Sequence, residues 1–367
     1  MYRPPTGSHG PGRRPPPPSR PVSRPREGSP TLILVATAGP LTSLPVTADD
    51  LTRVEAALRA AVEADDPFLT EVVSHLLAAG GKRGRPLMAV AAAACGTPSF
   101  TPASEAVVMG GVSVELVHLG SLYHDDVMDE ATTRRTVESV NARWGNLTAI
   151  LAGDFLLARA SEIAASLGTE VAALLARTIT RLCEGQVLEL QSTFDAGRTE
   201  AAYLRSIDGK TAALFATSAR IGALVGGLDR DGVEALTEFG HGYGLAFQIV
   251  DDVLDLSATD EQLGKPAGHD LVEGVYTLPV LRCVAAGGEA AATVVGVLGR
   301  VPTPDEVTTV RQLVRDTGSL DSALDTAAAY VDGACAALDR VGPSEAVDAL
   351  AAHARHLVDS GRSVAAT

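Results

Sequence analysis

The apolar residues of this chain recur at helical spacing along most of its length. Leu51, Val54, Leu58 and Val62 lie three or four residues apart, so they share one face of a helix that begins near Thr47. Comparable patterns continue to about residue 365, and no alternating series predicts a sheet. The pattern therefore predicts an all-α fold, a single helical bundle.

One predicted helix is apolar on nearly every side. It extends from Thr101, as N-cap, to Glu130, with Gly110–Gly111 as a possible break in the helix. A helix that is apolar all round is buried, so we predict that it is the central helix. It delivers His118 and then a group of acids near its C-terminal end.

Three aspartates occur at positions i, i+1 and i+4, and the chain carries this arrangement twice. The clusters are Asp125, Asp126 and Asp129, and Asp251, Asp252 and Asp255. Carboxylates one helical turn apart repel each other, and burying them unpaired is costly. A solvated acidic face or a helix N-terminus would explain one such cluster, but two copies in apolar helices favour Mg²⁺, which binds carboxylates together with substrate phosphates.

Several cations accompany these acids. The segment Gly80–Pro86 combines glycines with Lys82 and Arg85, and glycines let backbone approach a ligand while Lys and Arg bind phosphate. A solvated basic loop is the alternative for this segment, a satisfied core histidine is the alternative for His118, and Arg134 and Arg135 could neutralise the neighbouring carboxylates instead of clamping phosphate. Further candidates are Lys210 and Thr211 at an interrupted helix, and Lys265 in a loop.

Composition restricts the classes of function. The net charge of −15 argues against nucleic-acid binding. The four cysteines form no CxxC pair, so we expect buried thiols in a reducing compartment, the cytoplasm. No uninterrupted apolar stretch reaches the ~18 residues of a membrane-spanning helix.

The first part of the chain differs from the rest. Residues 1–45 are rich in proline and arginine, which predicts a disordered tail before an all-α domain at residues 46–367. The tail could contact anionic lipid or a partner, or be an inert extension, and we favour the inert extension.

The acids favour a metal, the cations favour phosphate, and the remaining helices offer an apolar cavity. No Ser-His-Asp or Cys-His set is evident in the sequence. The reaction that needs this combination is departure of a diphosphate from a hydrocarbon, with the resulting charge stabilised by metal and cations and kept from water.

The motifs resemble the trans-isoprenyl diphosphate synthase (polyprenyl synthetase) family from about Thr47 to the end. They are GGKRGRP at 80–86, HDDVMDEATTRR at 124–135, GKT at 209–211, FQIVDDVLD at 247–255 and LGKPAGHDL at 263–271. The resemblance implies a helical bundle around a central cavity, usually a homodimer, that joins isopentenyl diphosphate to an allylic diphosphate. The family usually has Gly after the arginine pair, where this chain has Thr136.

The resemblance also assigns roles to residues. It implies that Asp125 and Asp129 bind two Mg²⁺ ions and that Asp251, with Asp255 nearby, binds a third. Lys82, Arg85, His118 and Arg135 would hold isopentenyl diphosphate, and Arg134, Lys210, Thr211, Gln248 and Lys265 would surround the allylic diphosphate. Asp125, Asp129, Lys210 and Asp251 are thus the catalytic candidates, and the long apolar product is compatible with transient membrane contact at release.

Product length depends on residues four and five positions before the first aspartate. In the family, bulky residues there stop growth, whereas this chain has Ser121 and Gly120, with Val117 one turn further back. We therefore predict a product longer than geranylgeranyl diphosphate (C20) and expect Gly120→Phe to shorten it. A geranylgeranyl or farnesyl diphosphate synthase and a regulatory subunit are the alternatives; a class I terpene cyclase is disfavoured because it would have no use for GGKRGRP.

Overall fold

The computed structural model describes residues 39–44, 47–97, 101–263 and 266–366. Within these residues the fold is a helical bundle, as predicted. The first ten helices are α1 Thr47–Ala61, α2 Pro67–Ala78, α3 Gly84–Ala94, α4 Glu105–Met128, α5 Val140–Trp144, α6 Asn146–Ser166, α7 Thr169–Gln191, α8 Glu200–Ile207, α9 Ala213–Val225 and α10 Arg230–Ser257. The later helices are α11 Asp260–Leu263, α12 His269–Val272, α13 Leu278–Ala285, α14 Gly288–Val297, α15 Pro304–Asp316, α16 Ser319–Ala337 and α17 Glu345–Ala365.

Three short helical turns and one hairpin complete the described chain. Pro40–Ser43 and Leu338–Arg340 form 3₁₀ turns, and Asp208–Ala212 forms a π-helical turn between α8 and α9. A hairpin pairs strand β1, Thr133–Arg134, antiparallel with β2, Val137–Glu138. The sequence pattern did not predict this hairpin because two-residue strands are too short to show alternation.

Two apolar clusters make up the core and meet at α9. Leu214 and Ile221 of α9 belong to the cluster around α4, whereas Phe215 and Ala219 belong to the cluster around α10. Helix α4 packs mainly on α6, α3 and α9, and α10 packs mainly on α16, α9 and α17. The helices that end in the two aspartate clusters are therefore the centres of the two halves of the bundle.

Helix α4 confirms the prediction of a central helix but differs in its details. It begins at Glu105 rather than near Thr101, because the hydroxyl of Ser104 accepts from the Val107 backbone nitrogen at 3.3 Å. Gly110–Gly111 does not interrupt it. The two glycines instead allow close packing, since a Cβ at Gly111 would lie 3.4 Å from Pro86.

Among the described residues, one helix, α4, is long and apolar enough to cross a membrane by length and composition. Of its most apolar window, 72% is buried inside the protein. The core position of α4 accounts for its apolar character.

The N-terminal boundary and the cysteines differ from the predictions. Most of the predicted tail, residues 1–45, lies outside the described residues, but residues 39–44 pack on the bundle, with Leu41 only 1% exposed. The domain therefore includes residues before 46. All four cysteines are free, but Cys183 is exposed, so the prediction of buried thiols is wrong for that residue.

Candidate active site

The first aspartate cluster lies at the C-terminal end of α4, where Asp129 is the C-cap residue. This is an unfavourable place for acids, since the helix dipole is negative there. Asp129 is exposed, but partial desolvation, with the charge of Glu273 and of Asp125 adding to it, raises its pKa to about 6. Burial also raises the pKa of Asp125, with Glu189 and Asp126 adding to the effect. The positive charges near Asp125 and Asp129 therefore do not offset the effect of desolvation on their pKa values.

Asp126 is the exception in this cluster. Its side chain is fully buried, and Arg134 Nε donates to its Oδ1 at 2.6 Å. Of the two roles considered for the arginine pair, neutralisation of a neighbouring carboxylate is therefore the one that Arg134 performs in this structure. Its positive charge also lowers the pKa of Asp125 and Asp129 against the effect of burial.

Arg135 occupies the turn of the hairpin and faces the Gly80–Pro86 segment. Its φ is +52° and that of Thr136 is +65°. Arg135 Nη1 donates to the carbonyl oxygen of Leu76 at 3.1 Å and to that of Gly80. The hairpin thereby fixes the glycine loop that begins the GGKRGRP motif at residues 80–86.

Arg85 lies half-buried beside this loop, and its Nε is enclosed. Its guanidinium lies 4.8 Å from the centre of the Phe215 ring, and its Nε has no hydrogen-bond partner in the described structure. Burial lowers the pKa of Arg85 to about 10; Glu115 opposes the shift and Arg135 adds to it. Burial and the same arginines lower the pKa of His118 well below its usual value, so His118 is neutral here. Lys82 is exposed.

A half-buried guanidinium with a second arginine nearby and one nitrogen without a partner is a suitable site for an anion.

Sequence reasoning missed the acid that partly balances these charges. Glu115 is 1% exposed and accepts from Arg83 Nη1 at 3.1 Å. The available signal was a lone glutamate in an apolar helix, three residues before His118.

The second cluster is divided between exposed and buried aspartates. Asp251 is exposed, whereas Asp252 is buried and accepts from Tyr203 Oη at 2.5 Å and from Gln248 Nε2 at 2.8 Å. Burial, with Asp251 adding to it, raises the pKa of Asp252 to about 7. Thr211 Oγ1 donates to Gln248 Oε1 at 2.7 Å, so these two candidate ligands are connected to Asp252.

Asp255 is also buried, and it anchors the loop after the helix. Its Oδ2 accepts from the backbone nitrogen of Asp270 at 3.2 Å, and its carbonyl oxygen accepts from Gly268 at 2.7 Å. Lys265, the remaining candidate ligand, lies outside the described residues. A metal-binding role for Asp255 stays a prediction, and the observed contacts give it a role in holding this loop.

Lys210 and Glu189 lie between the two aspartate clusters. Lys210 extends from the π-helical turn and its Nζ lies 2.5 Å from Glu189 Oε1. Burial lowers the pKa of Lys210, but Glu189, Asp125 and Asp129 outweigh it and raise the pKa. Glu189 also raises the pKa of both Asp125 and Asp252. Sequence reasoning gave Glu189 no role, because its proximity to both clusters arises only from tertiary packing.

These residues fit a divalent cation whose coordination is completed by oxygens of a substrate. Among the residues that the structure describes, no group of three or more Asp, Glu, His or Cys side chains forms a ligand set by itself. Mg²⁺ commonly uses one or two carboxylates and takes further oxygens from phosphate and water. Carboxylates with raised pKa values are the donors that such a cation would stabilise in their charged form.

Gly120 does not face open space, contrary to the prediction. A Cβ there would lie 3.1 Å from the Gly153 carbonyl oxygen and 3.2 Å from Leu157 Cγ, both on α6. Gly120 therefore permits close packing of α4 on α6, and a phenylalanine would force the helices apart. The Leu157 side chain fills the space beside Gly120.

Comparisons with known proteins identify the family to which the chain is similar. The Polyprenyl synthetase family model matches residues 66–316. The chain is 38% identical over 299 residues to a heptaprenyl diphosphate synthase component 2 from Geobacillus stearothermophilus, covering 81% of this chain and 92% of that protein. It is 39% identical over 279 residues to a nonaprenyl diphosphate synthase from Mycobacterium tuberculosis, covering 76% and 82%.

Among solved structures, a polyprenyl synthase from Caulobacter crescentus, complexed with calcium and isoprenyl diphosphate, superposes with a TM-score of 0.81 at 36% identity. The match covers 91% of this chain and 99% of that one.

Proposed function

The chain belongs to the polyprenyl synthetase family, and we propose that it is a Mg²⁺-dependent prenyltransferase. It joins isopentenyl diphosphate head to tail to an allylic diphosphate, with a trans configuration of the double bond in each added unit. One observation carries the proposal: Glu189, which is paired with Lys210, raises the pKa of Asp125 in the first aspartate cluster and that of Asp252 in the second. This arrangement can bind a metal and a diphosphate together. Family membership makes the chain a prenyl diphosphate synthase rather than a terpene cyclase.

We assign the metal to Asp125 and Asp129 on α4 and to Asp251, with Asp255 nearby, on α10, for three Mg²⁺ ions per site. When bound, Mg²⁺ supplies charge stabilisation for the departing diphosphate. The raised pKa of Asp129 and of Asp125 supports the assignment for α4. The Caulobacter structure, a complex with calcium and isoprenyl diphosphate, supports the use of a divalent cation.

The cations divide into two groups around the site. Lys210, Thr211, Gln248, Arg134 and Lys265 would surround the allylic diphosphate, and Lys210 Nζ already lies among the carboxylates. Lys82, Arg85, His118 and Arg135 would bind isopentenyl diphosphate. The Arg85 nitrogen without a partner supports that second assignment.

The reaction then balances without a covalent protein intermediate. The carbon–oxygen bond of the allylic diphosphate breaks, and the isopentenyl double bond supplies the electrons for a new carbon–carbon bond. A proton leaves the isopentenyl unit and is taken by the departed diphosphate. Lys210 neutralises the leaving group, and the apolar helices exclude water from the carbocation.

We propose a product longer than geranylgeranyl diphosphate. The small residues Gly120 and Ser121 no longer carry this argument alone, because Leu157 fills the space beside Gly120. The support comes from the two relatives described above, which are named for heptaprenyl and nonaprenyl products. Leu157 is then the residue of choice for a test of product length.

The decisive experiment is incubation of the purified chain with isopentenyl diphosphate, farnesyl diphosphate and Mg²⁺, with product lengths measured by mass spectrometry. Products of about thirty carbons or more are expected, because the relatives that support the proposal are named for heptaprenyl and nonaprenyl products. Products that stop at about twenty carbons would support the geranylgeranyl alternative. In that case Leu157→Ala should lengthen them, since it removes the side chain that fills the space beside Gly120.

We also propose that the active form is a homodimer in the cytoplasm. The dimer is supported by exposed apolar residues on α6, Leu147, Ile150 and Leu151. The second candidate is the catalytic component of a heteromeric enzyme, and it is favoured by the name of the Geobacillus relative, a component 2. Turnover by the chain alone would favour the homodimer, and turnover only after addition of a second protein would favour the heteromer.

A further inference from the structure

Asp208 begins the π-helical turn that carries Lys210, and two helices hold its carboxylate. Arg181 of α7 places Nη2 2.7 Å from Asp208 Oδ2, and His241 of α10 places Nε2 against Oδ1. The hydrogen bond from His241 lowers the pKa of Asp208, and Arg181 adds to this against the effect of burial. Asp208 is therefore ionised and fixed from both sides.

The turn also lies directly on the backbone of α7. A Cβ at Gly185 would overlap the backbone nitrogen of Lys210, and a Cβ at Gly209 would lie 2.7 Å from the carbonyl oxygen of Arg181. Ser206 Oγ donates to the Gly185 carbonyl at 3.3 Å. Only glycines permit this approach, so the turn has one register on the helix.

These contacts follow one face of α7. Arg181, Gly185 and Glu189 are spaced four residues apart, so they lie one above another. They contact Asp208, Gly209 and Lys210 in the same order. Each residue of the turn thus has its own partner on α7, and the Lys210 ammonium is at the end of this series.

A π-helical turn is rare and needs tertiary support, and such turns are frequent at functional sites. The Asp208 side chain lies outside the diphosphate site, beside a groove lined by Arg181, His241, Tyr330 and Glu238. We propose that Asp208, held by Arg181 and His241, is a positioning residue that sets the π-helical turn and thereby aims Lys210 at the allylic diphosphate. The proposal rests on the function proposed above, because that function gives Lys210 its ligand.

The test compares Asp208→Asn with Glu238→Gln, a charge-removing control in the same groove whose native partner is Arg340. We expect Asp208→Asn to lower kcat/KM for farnesyl diphosphate by about 10- to 100-fold, the scale of a misplaced binding group. The KM for isopentenyl diphosphate should stay within about twofold, since its proposed site lies elsewhere. Glu238→Gln should leave both within about twofold, because it changes an exposed ion pair.

A double-mutant cycle separates positioning from general damage. Calorimetry with a non-hydrolysable thio analogue of farnesyl diphosphate should show that Asp208→Asn weakens binding with Lys210 present and has little effect in the Lys210→Ala background. His241→Ala should act in the same direction as Asp208→Asn, and His241→Gln, which keeps a donor, should restore binding. Thermal unfolding of each variant verifies that it folds.

An equal loss of binding in both backgrounds would mean a structural role only and would overturn the inference, as would full activity of Asp208→Asn. An inactive wild-type chain would instead overturn the proposed function. The two failures are therefore distinguishable.

Discussion

Thr136 has a backbone conformation that its side chain disfavours. Its φ of +65° places a β-branched residue in the left-handed region, which costs about 1–2 kcal/mol relative to glycine. We expect Thr136→Gly to raise the free energy of unfolding by about 0.5–1 kcal/mol, because greater freedom of glycine in the unfolded chain offsets part of the gain. Urea denaturation measures this change.

The matched control for Thr136→Gly is Thr132→Gly. Thr132 is an exposed loop residue that precedes the same hairpin and is not among the residues with positive φ. Glycine there adds only freedom to the unfolded chain, so the free energy of unfolding should fall by a few tenths to about 1 kcal/mol. An equal effect of both variants would contradict the argument from backbone strain at Thr136.

Gly185 tests the packing of the π-helical turn on α7 at the level of the element. A methyl group there would overlap the backbone of Lys210, and backbone cannot move aside as a flexible side chain can. We expect Gly185→Ala to lower the free energy of unfolding by about 1–3 kcal/mol. It should also lower kcat/KM for the allylic substrate by about tenfold or more, since it displaces Lys210.

Gly333, in the interior of α16, is the matched helical glycine. A Cβ there has nothing within 4 Å, so Gly333→Ala should raise the free energy of unfolding by about 0.5–1 kcal/mol through helix propensity alone. Opposite signs for the two Gly→Ala variants are expected. Stabilisation by Gly185→Ala would show that the turn and α7 are not in close contact.

For the whole molecule, local patterns were sufficient to predict the class of fold and the central helix. Apolar content is a property of neighbouring residues, so it identified α4 as a buried helix and showed that the second aspartate cluster lies in an apolar one. The start of α4 was misplaced because two capping residues, Thr101 and Ser104, compete within four positions, and only the hydrogen bond to Val107 decides between them.

The site residues that belong to a sequence motif were predictable, whereas those that tertiary packing brings together were not. The aspartates and Lys210 were candidates from their spacing, but the roles of Glu115, Glu189 and Tyr203 depend on contacts across many residues. Tyr203 and Asp252 are separated by 49 positions along the chain. The error at Gly120 has the same origin, because the sequence shows a small residue but not the neighbouring Leu157 that fills the space.

The apolar face of α6 allows the last prediction, which concerns assembly. Leu147 and Leu151 are 73% and 57% exposed and lie one turn apart, so they share a face. Val187 and Leu190 on the neighbouring helix α7 are also about half exposed. Burying the two leucines against a second copy would contribute about 3–6 kcal/mol to association. Loss of this contribution would raise the dimer dissociation constant by roughly 100-fold or more.

We therefore expect Leu147→Glu combined with Leu151→Glu to convert a dimer to a monomer at micromolar concentration, as measured by analytical ultracentrifugation. Val301→Glu is the control, because Val301 is 62% exposed but lies in a loop far along the chain from α6. A dimer that persists in the double variant would place the interface elsewhere. A wild-type chain that is monomeric and inactive alone would indicate that this face binds a different subunit, as expected for a component of a heteromeric synthase.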